Sequence, residues 1–381
     1  MHRSALFSTL AALAFLAPSG AQQGLTRENG RWVRRIYGSS PARQRLRVNA
    51  HGPVTLESGV SKDLSYVVTV SVNARSEGEA RRLLQQFTVR LETQGQWTVL
   101  TAPGGPAMAS VELKTPSLSH AVVSTSEGAV QARGVEGPLE VDSGAGELTA
   151  DRIQGDCRLV TGGGDIRVGQ VGGSLRCTTG AGHISMKSAG GEAELETNGG
   201  DIVAGQAGGQ VRASTVGGGI HIGSAGGAVL ATSGGGEIVV EKADGIVTVR
   251  NMAGPVQIRS AAGVRCESGS GGIRVSNISG PMRVSTSVGS ILANLFGSKL
   301  SESYLATGNG DITVLIPSNL GVTIQAQNNM ADTLRRILSD FREVQARRQG
   351  GRVVAEGAVN GGGPLLQISG MGGTIFIRRQ Q

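Results

Sequence analysis

The chain has little of what usually fills a protein core. Aromatic residues make up 3% of its 381 positions, so large rings cannot form the bulk of its interior. Cysteine is scarce, with three residues in all, which excludes a disulfide-dense scaffold. No stretch beyond the N-terminus approaches the roughly 20 apolar residues that a membrane-spanning helix needs. No constellation of side chains with a recognisable catalytic role stands out. What is abundant is glycine, 61 residues, well above the average of about 7%.

The first residues join a short basic start, Met1-His2-Arg3, to an apolar run from Ala5 to Ala17 and then to Pro18-Ser19-Gly20-Ala21. These are the three parts of a secretory signal peptide, with cleavage expected after Ala21. An exported protein of the periplasm, cell envelope or extracellular space is implied. The formal net charge is +7, and Arg27, Arg31, Arg34, Arg35, Arg43, Arg45 and Arg47 crowd the start of the mature chain. That segment is expected to be a solvated, partly flexible arm, although its charge would also suit anionic lipid, acidic polysaccharide or nucleic acid. No specific nucleic-acid partner is expected.

The glycines carry the main signal. Gly137, Gly155, Gly173, Gly191, Gly209, Gly227, Gly245 and Gly263 follow one another at steps of 18, and Gly146 to Gly254 form a second series between them. A fixed period of this length marks a repeat architecture. Two and four residues after each glycine the chain is apolar, as in Leu139 and Val141, Ile166 and Val168, and Ile220 and Ile222. The intervening positions are polar or charged, which is the period of a strand with one buried face. Columns conserved in register from unit to unit predict an all-β, single-stranded parallel β-solenoid (β-helix) with about 18 residues per coil. Roughly ten coils from 119 to 316 would make a rod about 50 Å long. The pattern is expected to slip by one residue after Gly263 and to be interrupted around Asn294 to Ser303. A column of Val171, Ala189, Ala207, Ala225, Ala243 and Ala261 implies a tight inward corner that admits only small side chains.

The expected organisation is a signal peptide over 1–21, a basic arm over 22–44, a strand and helix cap over 45–117, and solenoid repeats over 118–328. A helical or loop insertion over 329–359 and a closing coil over 360–381 follow. In the cap, Ser76 with Glu79 forms a capping box that opens a helix. Near the other end, Leu334, Ile337, Leu338 and Phe341 have helical spacing within 331–346, which predicts a helix or a covering loop. The final segment repeats the turn and strand unit and is expected to be the last coil.

With these elements in place, the chain resembles a bacterial family, the adhesin-like β-strand-repeat proteins, whose domain is one of unknown function. The matching residues are the strand, glycine and strand entry from Leu46 to Leu56 and the half-units from Gly164-Asp165-Ile166 to Gly310-Asp311-Ile312. Asn360-Gly361-Gly362-Gly363-Pro364, followed by Gly373-Thr374-Ile375, completes the match. The resemblance implies a β-solenoid at the envelope or outside the cell and brings no catalytic residues with it.

Candidate chemistry is sparse. Asp165, His183 and Asp201 stack one coil apart and are the metal candidates. A calcium roll, however, places its acid two residues beyond the last glycine, and Gly219 and Pro255 break this column, so they are read as turn residues and no metal or cofactor is expected. The hydroxyl column Ser143, Thr161, Thr179, Thr197, Thr215 and Ser233 is read as turn capping rather than an outward threonine array. Cys177 and Cys266 lie five coils apart, about 24 Å. Cys157 and Cys177 are two positions out of register, beyond the roughly 7 Å that a disulfide spans. All three are expected to be buried free thiols. The binding candidate is an outward row of Arg158, Arg176, Arg212, Arg265 and Arg283.

The role these features predict is a non-catalytic, exported adhesin-like or envelope scaffold. It would present its β-face to cell-wall or acidic glycans or to another envelope protein. A carbohydrate-active β-helix enzyme is the alternative, against which the lack of long loops to wall a cleft is the main argument. A self-assembling structural solenoid is the third reading.

Overall fold

Alternation with a period of two forces successive side chains to opposite faces, and in the computed structural model every coil obeys it. The structure describes residues 24–41, 43–102, 104–105, 107–296, 300–330 and 334–380, so the signal-peptide reading at 1–21 lies outside the described residues. The described residues are 61% strand with one α-helix, wound as a parallel β-solenoid of about 11 turns with about 18 residues each. Every turn contributes one strand to each of two facing sheets. The front sheet contains His120–Thr125, Leu139–Ser143, Cys157–Thr161 and their successors, and the back sheet contains Val130–Arg133, Leu148–Asp151, Ile166–Val171 and theirs.

Pairing is parallel and in register. Leu139 pairs with Cys157, Cys157 with Leu175 and Leu175 with Ala193. Between the sheets lies a single continuous core of small and medium aliphatic side chains, among them Leu159, Ile166, Ile202 and Val211, all fully buried. The predicted inward corner is present, since Ala189, Ala207, Ala225 and Ala243 are buried.

The glycine columns serve close approach more than unusual backbone angles. At Gly200, which is buried, a Cβ would run into the Gly182 carbonyl oxygen and stand 2.7 Å from the His183 amide nitrogen. This packing admits a buried relay beside the turn. Thr197 donates from Oγ1 to the Gly182 carbonyl at 2.9 Å and accepts from the Gly200 amide at 3.3 Å, and Thr179 and Thr215 repeat the arrangement on neighbouring coils. The threonines are therefore inside, where they satisfy backbone groups that the strand ladders leave over. Asn251 takes the same place, donating from Nδ2 to Gly236 and Gly254.

Four expectations need correction. The register slip falls before Gly263, not after it: Ile246 pairs with Gly263 and Val247 with Val264, so Gly263 stands in a strand rather than in the glycine column. The basic arm is not a free tail. Arg31–Ser40 runs antiparallel to Leu64–Val72, and Arg34 donates to the Leu84 and Phe87 carbonyls, satisfying groups that the helix Glu77–Gln85 leaves over at its C-terminal end. Of the helix or covering loop expected over 331–346, the helix is not found among the described residues. Leu334–Arg336 is a single 3-10 turn, and Ile337–Ser339 then continues as a strand of the back sheet. The apolar spacing there also fits a strand and a loop, because Phe341 and Val344 reach the core from the loop after the strand.

At both ends the order of coils along the chain differs from their order in space. The last coil in sequence, Leu365–Gly372 with Ile375–Arg379, is not the last in space. It lies between Ser303–Asn309 with Ile312–Ile316 on one side and Val322–Asn328 with Ile337–Ser339 on the other. The N-terminus mirrors this arrangement. Arg45–Ala50 with Val54–Ser58 lies between Trp97–Thr101 with Met108–Thr115 and the first regular coil. Each end thus threads one coil inside another, and antiparallel strands finish it: Arg90–Gln94 and Leu64–Val72 at one end, Arg352–Val359 and Gln345–Gln349 at the other.

Candidate functional site

The outward side chains of the front sheet fall into rows two residues apart, because the residue between them points into the core. One row carries the arginines. It runs from Arg47 through Val122, Glu140, Arg158, Arg176, Glu194 and Arg212, then Leu230, Thr248, Arg265, Arg283 and Tyr304. The row two positions upstream includes Trp97, Arg45, His120, Asp156, Glu192 and Ile246. Between the rows the sheet surface dips into a groove parallel to the solenoid axis.

Two stretches of this groove have volumes of about 600 and 670 Å³, and both are lined by Gln210. Two rows of side chains, with no loops, are enough to wall a shallow cleft along the flat of a parallel sheet.

The two stretches differ in chemistry. The first is lined by both signs of charge, including Glu140, Asp156, Glu192, Glu194, Arg158 and Arg176. Most of these charges already have partners. Arg158 pairs with Asp142 at 3.1 Å and Arg176 with Glu194 at 3.2 Å, His120 meets Glu140 at 3.3 Å, and Asp156 accepts the Ser174 amide at 2.8 Å. The second stretch is lined by more apolar residues, Leu230, Ile246, Leu365 and Tyr304 among them, together with Arg265, Arg283 and a single carboxylate, Glu302. There the Arg283 guanidinium lies 5.5 Å from the centre of the Tyr304 ring. Arg212, Arg265 and Arg283 form no ion pair among the described residues.

All five arginines expected in a row thus share one register column, although Glu194, Leu230 and Thr248 interrupt it. Three members of the site were missed in the sequence. Arg45 and Arg47 fall in the strand and helix cap expected over 45–117, outside the expected arginine row, although their spacing by two is the signature of an outward strand face. Trp97 could not be placed, because the coil that carries it precedes the first coil in space while following it in sequence. In the structure the Trp97 ring lies beneath both guanidinium groups, 5.8 Å from Arg45 and 5.1 Å from Arg47, and its centre is 5.0 Å from that of His120.

The three metal candidates lie on the other sheet and are engaged in turn capping. The His183 amide donates to Asp165 Oδ1 at 2.9 Å, the Asp201 amide to His183 Nδ1 at 3.0 Å, and the Gly219 amide to Asp201 Oδ1 at 2.7 Å. Each side chain therefore accepts the orphan amide of the next coil. Among the described residues no group of three or more His, Cys, Asp or Glu is placed to hold a metal ion. Cys157, Cys177 and Cys266 are buried and unpaired; burial pushes the Cys157 and Cys266 thiols up to about 12 and raises Cys177 well above its ordinary value.

No family model matches the chain, and no curated protein does. Among solved structures it is similar to a proposed cell adhesion protein from Clostridium sporogenes, at 10% identity and a TM-score of 0.21, over 91% of this chain and 100% of that one. It is also similar to a proposed adhesin from Bacteroides fragilis, at 15% identity and a TM-score of 0.30, over 70% of this chain and 99% of that one. The fold of this chain rests on its own strand register and not on either neighbour. No helix among the described residues is long and apolar enough to cross a membrane.

Proposed function

We propose that the protein is an exported, non-catalytic adhesin-like or envelope scaffold that binds its ligand along the front-sheet groove. The observation that carries this reading is the groove itself: a straight, shallow, solvent-open cleft along a rigid sheet, with arginines repeated at the coil spacing. Such a surface suits an extended ligand held by many weak contacts better than a small substrate enclosed for chemistry. The N-terminal pattern over 1–21 supports export. The test is a glycan and cell-wall binding array with the mature chain, set against a variant in which Arg158, Arg176, Arg212, Arg265 and Arg283 are all replaced by serine. Binding by the parent and loss in the variant is the expected outcome; equal binding by both removes the groove from the role.

One observation favours the enzymatic alternative. Glu140, Asp156, Glu192 and Glu194 line the same stretch, and paired carboxylates are what glycoside hydrolysis requires. Against it, Glu194 and Glu140 are engaged by Arg176 and His120, and the cleft is open to water. Release of reducing ends from a bound polysaccharide, abolished by Glu192→Gln with Glu194→Gln, would establish the enzyme. The self-assembly reading meets antiparallel terminal strands that bear charge, including Arg347 at one end, and these work against stacking end to end.

A further inference from the structure

The geometry points to a linear polyanionic polysaccharide of the uronate class as the ligand of this face, anchored on Arg212, Arg265 and Arg283 toward the Tyr304 end and on Arg45 and Arg47 beside Trp97, and crossing between them the first stretch, whose Glu140, Asp156, Glu192 and Glu194 offer it no anchor. This rests on the reading of the groove as the binding surface and names what fills it. Three observations lead there.

The first is an electrostatic contrast within one column. Arg158 and Arg176 face each other directly across adjacent strands, as do Arg265 and Arg283. Like charges in that position destabilise a sheet. The first couple is neutralised by Asp142 and Glu194. The second has no carboxylate partner among the described residues, and the nearby Arg212 has none either. Positions left electrostatically incomplete on a rigid face are where external anions are held, and a guanidinium fork matches a carboxylate bidentately.

The second is the placement of aromatic residues in a chain that has few. The two aromatic residues of the groove rows stand near its opposite ends, each half-buried and each beside arginine: Trp97 under Arg45 and Arg47, and Tyr304 under Arg283. A flat ring next to a guanidinium offers the two surfaces that an acidic sugar presents, an apolar ring face and an anionic edge.

The third is scale. From Arg47 to Tyr304 the column makes eleven coil steps, roughly 50 Å at the inter-strand spacing. Anchors that far apart engage a single ligand only if it is an extended chain, and partial contacts then reinforce one another. A neutral glycan would leave the arginines unpaired, and a small carboxylate would reach one anchor at a time.

The experiment titrates the mature full-length chain with oligogalacturonates of two lengths, one confined to half the groove and one long enough to span it, with neutral dextran oligomers of matched length beside them. Trp97 and Trp32 are the only tryptophans, so intrinsic fluorescence in parent and Trp97→Phe reports contact at that end. The long oligogalacturonate is expected to bind more tightly than the short one, to weaken as salt rises, and to change the fluorescence of the parent alone. Arg265→Ser with Arg283→Ser should lower affinity at least about tenfold while leaving circular dichroism unchanged, since both side chains are exposed. Equal affinity for dextran, no dependence on length, or unchanged binding by the double-serine variant would each overturn the inference. If the array shows arginine-dependent capture of neutral wall material instead, only the ligand class falls. If nothing is captured through the groove, the scaffold reading falls with it.

Discussion

Adjacent glycines at 199 and 200 are expected to respond in opposite ways to the same substitution. At Gly199, which is exposed, an added Cβ would find its nearest neighbour, the Ala181 carbonyl oxygen, 3.6 Å away, an ordinary contact. Alanine there removes freedom from the unfolded chain and should stabilise by about 0.4–1 kcal/mol. At Gly200 the added Cβ would collide with the Gly182 carbonyl and stand 2.7 Å from the His183 amide nitrogen. Both obstacles are backbone of the preceding coil, which is itself fixed by the Thr197 relay on that side. Relief requires the coils to separate locally, and overpacking of this kind costs about 1–3 kcal/mol, with loss of the relay bonds in addition.

The two variants should therefore differ by roughly 2–4 kcal/mol, read as the separation between their urea-unfolding midpoints followed by far-ultraviolet circular dichroism. Repeat proteins depart from two-state behaviour, so slopes must be compared along with midpoints. Coincident curves for Gly199→Ala and Gly200→Ala would show that close coil approach does not dictate glycine here.

Thr197→Val keeps the volume but leaves the Gly182 carbonyl and the Gly200 amide without their side-chain partner. It should destabilise by about 1–3 kcal/mol in the same assay, while Thr178→Val, on the outward face, should change little. Deleting 360–381 removes a coil from inside the stack, so it should abolish cooperative unfolding rather than shave off an end; a proteolytically resistant product of otherwise normal stability would contradict the threading. The thiols should resist Ellman's reagent in native protein and react only on unfolding. For Cys157 and Cys266 the folded value is about 12 against an ordinary 9.0, so between those values the unfolded chain binds fewer protons. Stability should therefore be unaffected by these groups below pH 9 and fall as pH rises from 9 toward 12, and Cys266→Ala should show a shallower decline.

Much of this protein is legible because a solenoid is nearly one-dimensional. Each coil touches only its neighbours, so period and alternation alone place Leu159 inward, Arg158 outward and Ala189 at the corner, with no need to know the global path. The buried threonines and free cysteines follow from the same columns. The pattern also placed the five arginines on one strand face, though not the cleft beside them, because a groove is the space between two rows and no single column reveals it.

What only the tertiary structure decided lies where sequence order and spatial order part. The coil of Arg45–Ala50 sits between coils that come later in the chain, and Leu365–Gly372 sits beneath a coil that comes earlier. Parallel backbone pairing is indifferent to which coil arrives first, so local periodicity cannot encode that threading. It is this threading that carries Trp97 to Arg45 and Arg47 and so sets one end of the proposed binding surface. Repetition fixed the coil and the direction of every side chain within it; long-range pairing at the two ends fixed which coils are neighbours.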